Sequence, residues 1–351
     1  MQRARNATFA NRLLAWWDRH GRKNLPWQHP RTPYRVWISE IMLQQTQVAT
    51  VIPYFERWMA DFPDIAALAA ATKDEVLRHW SGLGYYARAR NIHKAAAICA
   101  GDHSGELPLD PATLESLPGI GRSTANAIVS QATDRPAAIL DGNVRRVLAR
   151  HTATRGWTGS AAVQKTLWAE AERRLPSGRG ADYSQAVMDL GALVCTRRNP
   201  RCAECPVAAD CMALEQGIVN ELPEPKPRTK VGERRLHMLI VRDTAGRVLL
   251  EKRPGAGIWG GLWCLPAGDS PNAIAEGLGF ELNGHASLPG FEHRLSHLRL
   301  DIQPALAAGM NPSQVKCDTE HGWFDERQQR NLGLPRPVTL LLQRLNTGEL
   351  T

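Results

Sequence analysis

The chain of 351 residues has no apolar run approaching the length of a membrane span, which argues against a transmembrane helix. It has no signal-peptide core either. Arg3 and Arg5 lead directly into an amphipathic pattern of Phe9, Leu13, Leu14 and Trp17, which reads as a first core helix. There is no internal repeat and no low-complexity tract, so neither a solenoid nor a disordered linker protein is expected. Cysteine is scarce and odd in number: seven residues, four of them within the seventeen positions 195–211. Such crowding argues for metal ligation in a reducing compartment and against a disulfide framework. The expected location is the cytoplasm, nucleoid-associated if the source is a bacterium, and no membrane partner is expected.

What is present describes a globular protein long enough for two domains, 43% hydrophobic and 22% charged. A net charge of +8 favours a polyanionic partner. Up to about residue 220 the apolar spacing is helical. One long helical region is expected over Val36, Trp37, Ile41, Val48, Val51, Ile52 and Phe55, and another over Val76, Leu77 and Trp80, ended by Gly82-Leu-Gly84. Three prolines in five positions, Pro223 to Pro227, then break the pattern, and residues 221–235 read as an extended linker. Beyond it the grammar is that of strands. His237–Arg242 and Arg247–Glu251 flank a turn at Asp243–Gly246, a short helix is expected at Ile274–Leu278, and strand-like alternation returns over Leu295–Gln303. The division is therefore 1–220, a helical domain; 221–235, linker; and 236–351, an α+β domain.

Two segments twenty residues apart carry the most information. Leu117-Pro-Gly-Ile-Gly121 lies between two apolar-periodic stretches and makes a tight hairpin between helices. Gly119 and Gly121 permit unusual backbone angles and leave N–H groups open at the start of the second helix, beside Arg122. Such a helix start takes a phosphodiester without any side-chain contact. Asp141 then stands where a third helix begins, because Val144, Val147 and Leu148 follow at helical spacing. Alone, it reads as a capping residue.

Cys195, Cys202, Cys205 and Cys211 stand as C-x6-C-x2-C-x5-C. Four thiolates at this spacing suit a tetrahedral zinc or one iron–sulfur cubane, and the spacing alone does not choose between them. Arg197, Arg198 and Arg201 lie in the loop between the first two, suited to backbone phosphates. Glu40 falls on the apolar face of its helix, beside Val36, Trp37 and Leu43, where a carboxyl should hold its proton near neutral pH.

The hairpin with its following aspartate resembles the helix-hairpin-helix DNA glycosylases, and the cysteine spacing is similar to that of the endonuclease III-like members. With Tyr34–Val48 and Gly82–Asn91, the chain from about Leu13 onward closely resembles the adenine DNA glycosylases of the MutY family. The resemblance implies a mainly α helix-hairpin-helix core with one [4Fe–4S] cluster on the loop 195–211. It also implies monofunctional hydrolysis of the N-glycosidic bond of adenine opposite 8-oxoguanine or guanine in double-stranded DNA, by a monomer. Glu40 is then the acid that protonates the extruded adenine, and Asp141, ionised and helped by its helix N-terminus, stabilises the oxocarbenium-like sugar. Asn143 and Ser123 match positions near the sugar and water. Trp27 and Gln185 match the adenine pocket, Gln44, Gln45 and Thr46 the segment inserted at the lesion, and Tyr85 the intercalating aromatic. Related bifunctional lyases carry a Lys where this chain has Ser123. Ser cannot form their Schiff base, and Arg145 is a poor amine nucleophile.

In the C-terminal part, Trp259-Gly-Gly-Leu-Trp-Cys-Leu-Pro266 looks like the segment before the catalytic box of Nudix hydrolases. The carboxylate array that binds magnesium there is absent from residues 267–280, so a Nudix-like binding module is expected and a pyrophosphatase is not. In the MutY family this module reads 8-oxoguanine. Its inspecting loop commonly reads Phe-Ser-His, and here it is Leu295, Ser296 and His297, which keeps the polar contacts and loses an aromatic face.

Overall fold

The computed structural model describes residues 8–227, 231–316 and 320–349. The chain forms two compact units, one of Met1–Ala70 with Lys94–Arg228, the other of Ala71–His93 with Thr229–Thr351.

Helices in chain order are α1 (Phe9–His20), α2 (Pro33–Leu43), α3 (Val48–Asp61), α4 (Ile65–Ala70), α5 (Lys73–His79), α6 (Ala87–Asp102), α7 (Pro111–Ser116), α8 (Arg122–Thr133), α9 (Gly142–His151), α10 (Ala161–Arg173), α11 (Gly180–Asp189) and α12 (Met212–Glu215). Polar residues start many of them. Thr8, Thr32, Thr72, Asp110, Asp141 and Ser160 each accept an N–H of the first turn. In the first unit Leu13, Leu14 and Trp17 of α1 pack with Val144, Val147 and Leu148 of α9 and with Ala186, Val187 and Leu190 near α11. Cys195 and Cys205 lie against this core.

The expected single helical region from Val36 to Phe55 is broken. α2 ends at Leu43, α3 begins at Val48, and Gln45 takes a left-handed conformation with φ of 59°. Four consecutive polar residues, Gln44 to Gln47, give this stretch no apolar face to bury, so tertiary packing does not hold it helical.

The second unit is built on a mixed sheet with the path β3-β2-β1-β7-β5, in which β1 (Gly232–Asp243) and β7 (Leu298–Met310) run parallel. β2 (Val248–Lys252) pairs antiparallel with β1, β3 (Trp263–Cys264) and β8 (His321–Phe324). β4 (Ala267–Gly268) adds to β1, while β5 (Ala286–Ser287) and β6 (Phe291–Arg294) add to β7. The turn expected at Asp243–Gly246 forms, with Gly246 at φ 82° and the Asp243 carboxylate accepting from the Ala245 and Arg247 N–H groups. The short helix expected near Ile274 is α13 (Pro271–Gly277); α14 (Glu326–Gln329) and α15 (Arg336–Asn346) close the chain. Leu239, Val241, Leu249, Ile274 and Ala305 are among the residues of this unit's core. β1 starts at Gly232, inside the stretch read as linker.

Segment 71–93 was expected to belong to the helical domain by its place in the chain, and it clusters with the C-terminal residues. Helix α5 buries Val76 and Leu77 there, followed by Trp80, which is fully buried.

Candidate active site

Helix α8 links the two carboxylates of interest, and it does so from one face. Near its start the Ser123 hydroxyl accepts the Leu140 N–H at 2.9 Å, which fixes the residue before Asp141. Two four-residue steps further on, Gln131 donates its side-chain amide to Glu40 Oε1 at 2.7 Å. Between them Asn126 donates to the Ala138 carbonyl at 2.6 Å, and Arg145 donates back to the Leu140 carbonyl at 3.0 Å. The segment entering Asp141 is thus held by three side chains.

Glu40 sits on α2, between helical neighbours Val36 and Trp37, both without exposed surface. Burial pushes its carboxyl up to about 7, opposed by the Gln131 hydrogen bond and reinforced by the charge of Asp141. The two carboxyls therefore sense one another. Glu40 keeps some solvent access.

Asp141 caps α9, its Oδ1 accepting the Val144 N–H at 2.8 Å. The helix N-terminus acts on it in the expected sense, favouring the carboxylate, but does so against burial. Burial is the largest influence and raises its pKa, while the Val144 and Asn143 N–H groups, Arg146 and Arg145 pull the other way without cancelling it. Asn143 is the second residue of the same helix and accepts from Arg146 at 2.8 Å. A side chain at Gly191 would stand 2.6 Å from the Asn143 Cβ, so only glycine permits this approach.

Trp27 and Gln185 are 2% and 3% exposed. Trp27 packs edge-on against Phe55 at 5.5 Å. Gln185 donates to Asp189 Oδ1 at 2.8 Å, and the fully buried Asp189 also takes the Arg22 guanidinium and backbone N–H. Gln44, Gln45 and Thr46 form the turn between α2 and α3, immediately after the helix that carries Glu40.

The hairpin turns at Gly119, φ 82°. Gly121 precedes α8 with no side-chain cap and with open space around its Cα, so the first-turn N–H groups lack a side-chain acceptor. Arg122 stacks over the Trp168 ring at 4.0 Å and pairs with Glu172.

Cys195, Cys202, Cys205 and Cys211 open on one cavity walled by Val147, Leu190, Val194 and Val207. Among the described residues no group of His, Cys, Asp and Glu converges on a single metal ion. Four thiols distributed around an apolar cavity match a cubane, which takes one cysteine per iron. Burial pushes the Cys205 thiol up to about 12, so loading the site must displace its proton. Two arginines that sequence reasoning did not single out brace this loop. Arg146 donates to the Cys195 and Gly191 carbonyls at 2.7 Å. Arg150, 2% exposed, lies 3.3 Å from the Cys195 sulfur and donates to the carbonyls of Thr196, Arg197 and Leu222. Their four-residue spacing on α9 was the available signal.

In the second unit Tyr85 is 48% exposed at φ 49°, with the buried Arg88 guanidinium 5.6 Å from its ring. Leu295, Ser296 and His297 are not in a strand. They form the tip of the β6–β7 hairpin, closed by the Leu295 N–H on the Leu298 carbonyl at 2.8 Å, with Ser296 and His297 exposed. The alternation expected from Leu295 begins only at Leu298.

The glycine-turned hairpin, the two electrostatically coupled carboxyls and the four-cysteine loop fall within a helix-hairpin-helix DNA glycosylase of the iron–sulfur class. Residues 38–173 match the HhH-GPD superfamily of base excision DNA repair proteins, residues 195–211 the iron-sulfur binding domain of endonuclease III, and residues 237–344 the NUDIX domain. The adenine DNA glycosylase of Buchnera aphidicola subsp. Schizaphis graminum is 36% identical over 340 residues, covering 95% of this chain and 98% of that protein. That of Mus musculus is 42% identical over 227 residues, 61% of this chain and 44% of that one. Among solved structures, a thermostable thymine-DNA glycosylase superposes with a TM-score of 0.53 at 26% identity, over 61% of this chain and 98% of that chain. A trapped endonuclease III–DNA covalent intermediate gives 0.51 at 26%, over 62% and 98%.

The chain belongs to the MutY family of adenine DNA glycosylases. It takes a [4Fe–4S] cluster, which the four cysteines would hold. No helix among the described residues is long and apolar enough to cross a membrane.

Proposed function

We propose that the substrate is adenine opposite 8-oxoguanine or guanine in duplex DNA, and that the protein works as a monofunctional, monomeric glycosylase of the cytoplasm. The observation that carries the chemistry is Glu40, poised to titrate near neutral pH and within electrostatic reach of Asp141. Protonated Glu40 gives its proton to the departing adenine, and its carboxylate then takes one from the attacking water. Positive charge developing on the sugar favours the ionised form of Asp141, opposing the burial that raises it in the free protein. Ser123 and Asn143 position this centre, and Trp27 and Gln185 receive the adenine. The cluster provides no acid–base group. Held by Cys195, Cys202, Cys205 and Cys211, it would fix the basic loop 197–201 as a surface for backbone phosphates, together with the open N–H groups behind Gly119, Gly121 and Arg122. Gln44, Gln45, Thr46 and Tyr85 fill the space left by extrusion. Leu295, Ser296 and His297 inspect the opposite base.

The test is a duplex with one adenine opposite 8-oxoguanine, incubated with the protein and treated with hot alkali. Cleavage at the adenine is expected, and an intact strand would refute the reading. Borohydride should trap little covalent adduct, because Ser123 replaces the amine of the lyases; abundant trapping would reclassify the enzyme.

A further inference from the structure

Two side chains that flank the loop presenting Tyr85 meet at one backbone carbonyl of the C-terminal residues. Ser81 Oγ and Tyr86 Oη both donate to the Leu334 carbonyl, at 3.0 and 3.2 Å. The Gly82 N–H in turn donates to Tyr86 Oη at 3.4 Å, so the hydroxyl that binds Leu334 also closes the Gly82–Tyr86 turn. Around this point Arg90 donates to the Gly260 carbonyl at 2.6 Å, Arg78 to Asn331 at 3.3 Å, and Lys252 pairs with Asp74 at 2.8 Å. Close packing completes the joint. A Cβ at Gly333 would lie 3.0 Å from the Leu77 Cβ and 3.2 Å from Leu262.

Within the turn, Gly82 and Gly84 take φ of 99° and 71°, and Tyr85 itself 49°. A tyrosine gains nothing locally from a left-handed backbone, so neighbouring contacts must impose it. Trp80 donates to the Gly84 carbonyl at 3.0 Å, and Arg88 donates to the Leu83 and Gly84 carbonyls at 3.2 Å. Those contacts hold the turn from inside, and the Leu334 carbonyl holds it from the C-terminal side. The same compact unit carries the Leu295–His297 tip.

We infer that Ser81 and Tyr86, bound to the Leu334 carbonyl, are positioning residues for Tyr85, so that the wedge and the lesion-reading tip are presented by one body. The inference rests on the reading of Tyr85 given above. It makes mispair recognition depend on two hydroxyls that touch no DNA in that reading.

The experiment is a double-mutant cycle on the full chain, using Tyr86→Phe, Tyr85→Ala and the pair, with Ser81→Ala as a second route. The readouts are affinity for a duplex with adenine opposite 8-oxoguanine, and fluorescence of 2-aminopurine beside that mispair, which reports base unstacking. Tyr86→Phe should weaken binding roughly fivefold or more and reduce the unstacking signal, and should add almost nothing once Tyr85 is alanine. Tyr85→Ala without effect would remove the wedge reading itself, and the inference with it. An effect of Tyr85→Ala that simply multiplies with that of Tyr86→Phe would overturn the inference alone. An unchanged cluster absorbance and melting temperature in each variant separates positioning from misfolding.

Discussion

Gln131 donates to Glu40 at 2.7 Å and so favours the carboxylate form of a group that burial drives toward the protonated form. The balance sets Glu40 near 7, where it can both give and take a proton. Replacing the amide with leucine removes the opposing influence. Gln131→Leu should move the pH at which excision declines upward from about 7, measured by single-turnover excision across a pH series. An unmoved midpoint would mean that another group titrates in that limb.

Glu40 also links pH to stability. Its ordinary value is 4.5 and its folded value is about 7, so the fold favours the protonated form. The stability contributed by that proton is complete below about 4.5 and lost as pH rises through about 7. The difference corresponds to at most roughly 3–4 kcal/mol, at ~1.4 kcal/mol per unit. Glu40→Gln, neutral at every pH, should therefore melt higher than the parent at pH 8 and lose that advantage at pH 4.5. Calorimetric or dichroism melts at both values decide it.

Glu40→Gln and Asp141→Asn should each lower excision by roughly 10²–10⁴-fold while leaving duplex affinity nearly unchanged. The Asn substitution is informative because Asn caps a helix as well as Asp does, so α9 keeps its start. Excision at the parent rate in either variant would remove that residue from the chemistry. Gel-shift binding and alkali cleavage on one duplex give both quantities.

Arg150 is buried with donors committed to four groups around the cysteine loop, none of which apolar truncation can satisfy. Arg150→Leu should yield protein with little of the broad visible absorbance of an iron–sulfur cluster, although every cysteine remains. Full colour and iron content in that variant would show that the loop is held by other means.

Much of this was legible in the sequence for a physical reason. The hairpin, Asp141 and the four cysteines depend on neighbours close in the chain, and local spacing reveals them. Glu40 was legible because an acid on an apolar helical face is conspicuous. Gln131 was not, since its partner lies 91 residues away and a glutamine within a helix is unremarkable. The cap on Asp141 was legible because it is local, whereas the burial that opposes it is tertiary and leaves no mark in nearby spacing. Alternation over Leu295–Gln303 concealed a hairpin tip, because a short turn interrupts the period without any glycine or proline to mark it. The anchoring of 71–93 on residues some 250 positions later left no trace in local pattern.

The Leu222 carbonyl, bound by Arg150 at 2.8 Å, has a consequence for how this molecule ages under oxidative stress. Leu222 is nearly inaccessible and opens the proline-rich stretch that departs toward the C-terminal residues. Iron loss would slacken the thiol loop and release the guanidinium that also moors this root. Loss of the iron should therefore open residues 220–227 to limited proteolysis, and unchanged cleavage there would show that Arg150 does not couple the two.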